Sequence, residues 1–405
     1  MHQYVTFRGL RAPLRLHAAD AVLSLLPQVF ARWSFSARAD ETGEAPFFSI
    51  GGCENGLLAC ESHVDDRPVR RFDAVNAVCD AVSAIALVLP AEDDRLICLH
   101  AAAVEMAGRL VVFPNVRRAG KSTLSSALAR AGHPLFSDDV LPLSFTTDNL
   151  AWGRAMGIAP RLRLPLPATV DPFFRDWVDS VAGPKNRQYQ YLCLRDQPAH
   201  GLVRPLGAFV ILDRRDERIL PRLEPVAPDA ALDALLHQNF TRDRHSGDVL
   251  LAMAAVLAMR PVFRLTYDDL SEAVACLEQA FAGWPDDLPL QPVSPDRRFR
   301  LADFGARGMV GCGTRGRVRQ RPGTVVAEIG GTLYLADAEG RAIHRMDGMA
   351  ALIWELLADP ALPEDIAADL AEAFPDTPRA RIAADLEALT DRLMGYALIC
   401  CEAEG

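Results

Sequence analysis

Apolar positions follow three successive rhythms along the chain. From the start to about residue 70 they form short alternating runs, Tyr4 to Phe7, Leu14 to Leu16, Phe47 to Ile50 and Leu57 to Ala59, broken by Gly, Pro and charged residues. Alternation predicts strands, with one helix over Ala18 to Trp33. Phe72 to Leu89, rich in Ala and Val, predicts a helix packed on the core.

The second rhythm is of longer apolar runs separated by helical stretches. Leu96 to Val104 and Leu110 to Phe113 predict buried strands, and Leu124 to Ala131 a helix stopped by Gly132. His133 to Val140 is another apolar run, and Leu206 to Asp213 a clear strand. Asp229 to Phe240 and Val249 to Met259 read as helices, Pro261 to Tyr267 as a strand and Leu270 to Phe281 as a helix. Asp286 to Arg321 then loses periodicity and holds 8 Arg against 4 Asp, which predicts a linker.

The third rhythm is the clearest. Thr324 to Ile329 and Thr332 to Asp337 alternate about Gly330-Gly331, and Ala342 to Met346 predicts a third strand. Three helices follow: one holding Ile353 and Trp354, one over Pro363 to Phe374, and one from Arg379 to about Met394 with Ile382, Leu386, Leu389 and Leu393 at helical spacing. Three strands on three helices predict a winged helix-turn-helix arrangement. The pattern as a whole predicts a β-rich region at 1–90, an α/β domain at 91–285, the linker at 286–321 and the winged domain at 322–405.

Charge bears on the last of these. Pro322 to Gly405 carries 16 Asp and Glu against 5 Arg, about −11, while the whole chain is −10. That acidity opposes a nucleic-acid partner, and with it a DNA-binding regulator. Half the residues are apolar and 24% charged, which fits a soluble globular chain. Residues 1 to 16 lack the form of a signal peptide, and Val249 to Met259, read as the longest strongly apolar segment, is too short to span a bilayer. Nine scattered Cys without a C-x-x-C pair fit reduced thiols. The expectation is a cytoplasmic chain with no membrane partner.

The candidate chemistry lies in FPNVRRAGKSTLSSALARAGHPLFSDDV, Phe113 to Val140. Strand, loop and helix in that order form a phosphate-binding loop: backbone N–H groups cradle phosphate, the Lys reaches the outer phosphates and the next hydroxyl holds Mg²⁺. The nucleotide-binding candidates are Asn115, Ala119, Gly120, Lys121, Ser122 and Thr123. Lys121 and Lys185 are the only two lysines in the chain, so a lysine following Gly120 by chance is improbable. Asn115 stands where the full motif has Gly, and Arg117 and Arg118 fill the middle of the loop. Asp138 and Asp139 end the next apolar run, with Asp139 18 residues after Lys121. One is placed to hold Mg²⁺ and the other to take a proton from an attacking hydroxyl; a solvated turn is the alternative. His100 is either a core histidine or part of this set. Arg154, Lys185 and Arg187 lie in Arg- and Pro-rich stretches that read either as a flexible basic lid or as solvated loops.

His100 to Val140 resembles the core of HPr kinase/phosphorylase and its relatives: a His before the phosphate-loop strand, the Gly-Lys-Ser loop, Gly132-His133, and Asp138-Asp139-Val140. The resemblance implies the phosphoenolpyruvate-carboxykinase-like mixed α/β fold, ATP and Mg²⁺ as cofactors, Mg²⁺ on Ser122 and Asp139, and catalysis by Lys121, His100, Asp138 and Asp139. Trp152 stands where that family's signature has Glu. This departure fits the divergent HPr-kinase-like enzymes of peptide biosynthesis better than phosphorylation of HPr itself. Thr324 to Ile399 resembles the PqqD family, which recognises ribosomally made precursor peptides. That resemblance implies a leader peptide adding as a strand along Ala342, Ile343, His344, Arg345 and Met346, against Leu386 and Leu389. The expected activity is ATP-dependent phosphorylation of a precursor hydroxyl, with Ser as the expected acceptor. The alternative is a non-catalytic nucleotide-binding scaffold that presents the precursor to other peptide-modifying enzymes. Pyrophosphate as donor and a homo-oligomer are both left open.

Overall fold

The structure is a computed structural model and describes residues 2–39, 43–53, 55–114, 119–145, 151–167, 170–241, 244–284 and 316–401. It divides into two compact units, one of residues 1–243 with 256–300 and the other of 244–255 with 301–405.

The first unit opens with a six-stranded sheet in the order Phe35–Arg38, His2–Phe7, Leu14–His17, Phe48–Gly52, Leu58–Ser62, Arg70–Phe72. The alternation of its strands buries Val5, Phe7, Leu14, Leu16, Phe48 and Ile50 on one face. Against that face pack the helices Asp20–Val29 and Ala74–Glu92. Asp73 caps the second helix by accepting from the Asn76 N–H. Ala74–Glu92 is 19 residues long and apolar enough to cross a membrane by length and composition. The reading of Val249 to Met259 as the longest apolar segment therefore gives way to this helix. Most of it is buried inside the unit, and its Asp80 pairs with Arg67 and Arg70.

The second sheet of this unit has nine strands and is mixed. Its centre is the long strand Val203–Arg214, with Arg109–Phe113 parallel to it on one side and Val262–Tyr267 parallel on the other. Both short strands are rich in β-branched and aromatic residues, as two-sided burial requires. Leu96–Leu99 and Ala102–Met106 are separate strands. The single strand expected over Leu96 to Val104 is broken at His100, whose N–H leaves the ladder and donates to Gln238 O at 2.7 Å. The Arg- and Pro-rich stretches are also ordered. They supply Ala151–Arg154 to the large sheet and Arg161–Arg163, Ala182–Lys185 and Tyr189–Leu192 to a small antiparallel sheet.

Trp33 and His200 stack face to face at 3.9 Å, and His200 Nδ1 lies 3.1 Å from Met156 O. Burial pushes the imidazole down to about 4. A folded-state pKa below the unfolded value near 6.5 favours folding of the neutral form. That stability is present above about pH 6.5 and is lost as pH falls towards 4. Denaturant titrations at pH 7 and pH 4.5 should show His200→Phe, which does not titrate, losing on the order of 2 kcal/mol less than the wild type. Equal losses would remove His200 from the account.

In the second unit, Val325–Ile329, Thr332–Ala336 and Ile343–Arg345 form an antiparallel sheet, followed by the helices Gly348–Leu356, Pro363–Ala373 and Arg379–Gly395. Asp347 caps the first helix, accepting from the Ala350 N–H at 2.8 Å. Val318–Gln320 is a strand paired with Ile399–Cys401, so the irregular stretch ends before Val318 rather than at Arg321. Residues 285–315 lie outside the described residues.

Candidate functional site

The candidate site is built at the carboxyl end of Arg109–Phe113. This strand is fully buried, which fixes the start of the loop that follows it. The helix Lys121–Arg130 begins directly after the loop, with Gly120 as its N-cap at φ +92°. That left-handed conformation is open to Gly at little cost, which accounts for Gly at this place in the motif. Leu124 and Leu128 bury the inner face of the helix and hold its N-terminus over the strand end. Asn115 lies outside the described residues, as do Val116, Arg117 and Arg118. Ala119, Gly120, Ser122 and Thr123 are partly exposed at the helix start, and Lys121 is buried.

Lys121, His100, Asp138 and Asp139 converge. His100 Nε2 lies 2.9 Å from Asp139 Oδ1 and 3.5 Å from Lys121 Nζ. The shorter contact sets the tautomer: the ring donates from Nε2 to Asp139, and Lys121 is an electrostatic neighbour. Phe240 stacks on the imidazole at 5.4 Å and fixes its plane. Ser137 Oγ lies 3.0 Å from Ala101 O and 2.7 Å from Val140 O, which ties the turn carrying the acid pair to the break at His100.

Arg161 completes the cluster. Its guanidinium donates to Asp139 Oδ2 at 2.8 Å and its backbone N–H to Asp138 Oδ2 at 2.9 Å. It also lies over the Tyr189 ring at 4.5 Å. Both oxygens of Asp139 are thus engaged. Burial works to raise this carboxyl, but the His100 hydrogen bond and the Arg161 charge outweigh it and hold Asp139 well below the usual carboxylate range. Asp138 moves the other way. Burial and the adjacent Asp139 charge raise it, and its Oδ1 is enclosed without a hydrogen-bond partner. Val82, Met156, Ile158, Ala159 and Tyr191 line the cleft beside the pair.

Of the basic residues expected to form a lid, none joins the cluster. Arg154 sits in a sheet strand with its guanidinium 3.7 Å from Asp93. Lys185 is exposed on the small sheet and Arg187 in the turn that follows. Arg161 was the residue to find. Its signal was the alternation Arg161-Leu162-Arg163, which marks a strand with both arginines on one face.

The orphaned Asp138 Oδ1 is the observation that fits a bound cation. Burial has stripped this oxygen of water, and the neighbouring Ser122 hydroxyl helps hold the same carboxylate. Among the described residues no three His, Cys, Asp or Glu side chains gather to hold a metal unaided. Magnesium in phosphoryl-transfer sites needs only one or two carboxylates besides the phosphates.

In the second unit the expected peptide-binding residues divide. Ile343–Arg345 is a terminal strand of its sheet. Leu335 pairs with His344, Met346 donates to Leu333 O and Asp337 donates to Ala342 O, so the backbone of Ile343 faces away from the sheet. His344 stacks on the half-exposed Tyr396 at 4.3 Å, and burial lowers its pKa. Ala342 O also accepts from Ser246 Oγ at 2.9 Å. Met346 and Leu386 are buried in the unit's own apolar cluster and present nothing to a peptide; Leu389 is partly buried beside them. Their helical and strand spacing marks the inward face.

Residues 333–399 match the family described as Coenzyme PQQ synthesis protein D (PqqD). No curated protein matches the chain. Among solved structures, the Hpr(Ser) kinase/phosphatase from Coxiella burnetii is similar at 14% identity over 45% of this chain and 96% of that one, with a TM-score of 0.23.

Proposed function

We propose that this chain, which carries a PqqD domain at its C-terminus, is an ATP-dependent kinase of a ribosomally made precursor peptide. The winged module at 322–405 takes the leader, and the P-loop domain at 91–285 transfers the γ-phosphoryl group to a hydroxyl, Ser first among the candidates. One observation carries the reading: Lys121, His100, Asp139 and Arg161 meet where a buried strand passes into a helix through a left-handed glycine.

Phosphoryl transfer needs positioning and charge neutralisation more than covalent chemistry. Lys121 would meet the outer phosphates of bound ATP. Ser122 and Asp138 would hold Mg²⁺, which supplies charge neutralisation on the phosphate oxygens when bound. This moves the metal role from Asp139 to Asp138, because Asp138 is the acid with an uncommitted oxygen. Asp139, kept ionised and oriented by His100 and Arg161, takes the proton of the acceptor hydroxyl. Carrying leader capture on the same chain raises the effective concentration of the acceptor, so its own recognition can be weak.

The test is direct. The full chain, a precursor encoded beside it, ATP and Mg²⁺ are incubated together, and the precursor's intact mass is read. A gain of one phosphate supports the kinase. Leader binding with no mass gain supports the scaffold reading, which Arg117 and Arg118 in the loop favour. A second expectation concerns the leader. Ile343→Pro removes a backbone donor from the open strand and should weaken leader binding about tenfold or more. Transfer to a leaderless acceptor at high concentration should be unchanged. Fluorescence anisotropy with a labelled leader checks this, and unaltered affinity would place the leader elsewhere.

A further inference from the structure

Tyr267 belongs to neither motif, yet it stands at the phosphate loop. It is the last residue of Val262–Tyr267, which runs parallel to Val203–Arg214, as does Arg109–Phe113. Parallel strands end on the same edge of a sheet, and that edge is where ligands of open α/β sheets bind. Tyr267 and the carboxyl end of Arg109–Phe113 therefore lie on that same edge. The Tyr267 ring is 2% exposed and lies in one apolar cluster with Leu124, Leu128, Leu265, Ala273 and Leu277. That packing fixes the position of the ring.

The hydroxyl reaches the loop. A Cβ built on Gly120 would stand 2.9 Å from Tyr267 Oη, so this oxygen lies against the glycine that precedes Lys121. Burial pushes the phenol up to about 12, so at neutral pH it keeps its proton and is a donor. Phosphate oxygens at that pH are acceptors only, and the match is one-way.

We propose that Tyr267 is a phosphate-binding residue, its hydroxyl donating to a phosphate oxygen of the nucleotide held over Gly120. The assignment rests on the phosphate-site reading above and adds a ligand from outside the loop. It also gives Gly120 a second constraint, since any side chain there would displace the donor.

The test is ADP and adenosine binding by calorimetry to the full chain, as wild type, Tyr267→Phe and Lys121→Ala. Tyr267→Phe should weaken ADP about tenfold, leave adenosine unchanged and leave the thermal midpoint of the free protein unaltered. Wild-type ADP affinity in Tyr267→Phe, with affinity lost in Lys121→Ala, overturns the Tyr267 assignment alone. Unaltered ADP binding in both variants, or no ADP binding by the wild type, overturns the phosphate site and the assignment with it. Should Tyr267→Phe not fold, a wild-type crystal with ADP decides. Oη within about 3.2 Å of a phosphate oxygen supports the assignment, and a separation beyond about 3.5 Å overturns it.

Discussion

Lys121→Ala should abolish phosphoryl transfer, with a fall on the order of 10³-fold or more, and leave leader affinity unchanged. The lysine is buried at the first position of its helix, with Nζ beside His100 at the acid cluster. No other lysine stands at this site, and Lys185 lies exposed on the small sheet. Arg161 cannot take over, because its guanidinium is committed to Asp139. ATP affinity should fall together with the rate, because the same ammonium would serve the ground state and the transition state. Leader binding should be untouched, because the proposed leader site is the open strand Ile343–Arg345 in the other unit. Transfer assays and leader anisotropy on one preparation separate the two effects. A mutant of full activity would place the chemistry elsewhere.

Asp139→Asn should lower the transfer rate by roughly 10²- to 10⁴-fold and leave ATP affinity within a few-fold of the wild type. The substitution keeps the shape and an acceptor oxygen for His100, but removes the charge that Arg161 and His100 hold in place. Loss of rate with affinity retained is the mark of a group acting on the acceptor's proton. Loss of both in equal measure would mean that Asp139 holds the nucleotide or its metal, and the roles of the two acids would be reversed. Single-turnover rates with nucleotide titrations distinguish these outcomes.

Much of this was legible in the sequence because local signals agreed with one another. The alternation about Gly330-Gly331 and the spacing of Ile382, Leu386 and Leu393 marked the strands and helices between Thr324 and Gly395 to within a residue or two, but not the strands Val318–Gln320 and Ile399–Cys401. The strand, loop and helix around Gly120 were equally plain, since the glycine and the lysine have no cheaper explanation. Long-range pairing was not legible. Arg161 meets Asp139 across 22 residues through a small sheet that its Arg- and Pro-rich sequence hides. The break at His100 depends on a hydrogen bond to Gln238, which is distant in sequence. Tyr267 read only as the end of an apolar strand, because its neighbour Gly120 is brought to it by the sheet. Leu386 shows the reverse failure: helical spacing marks an apolar face but not whether a core or a partner covers it.

The most direct measurement is the fate of the γ-phosphoryl group. With γ-³²P-labelled ATP, Mg²⁺, the full chain and a precursor encoded beside it, label is expected on the precursor, at one phosphoryl per molecule, and none with Lys121→Ala. Label that stays on ATP, or appears only as inorganic phosphate while the leader is bound, would contradict the proposed kinase activity.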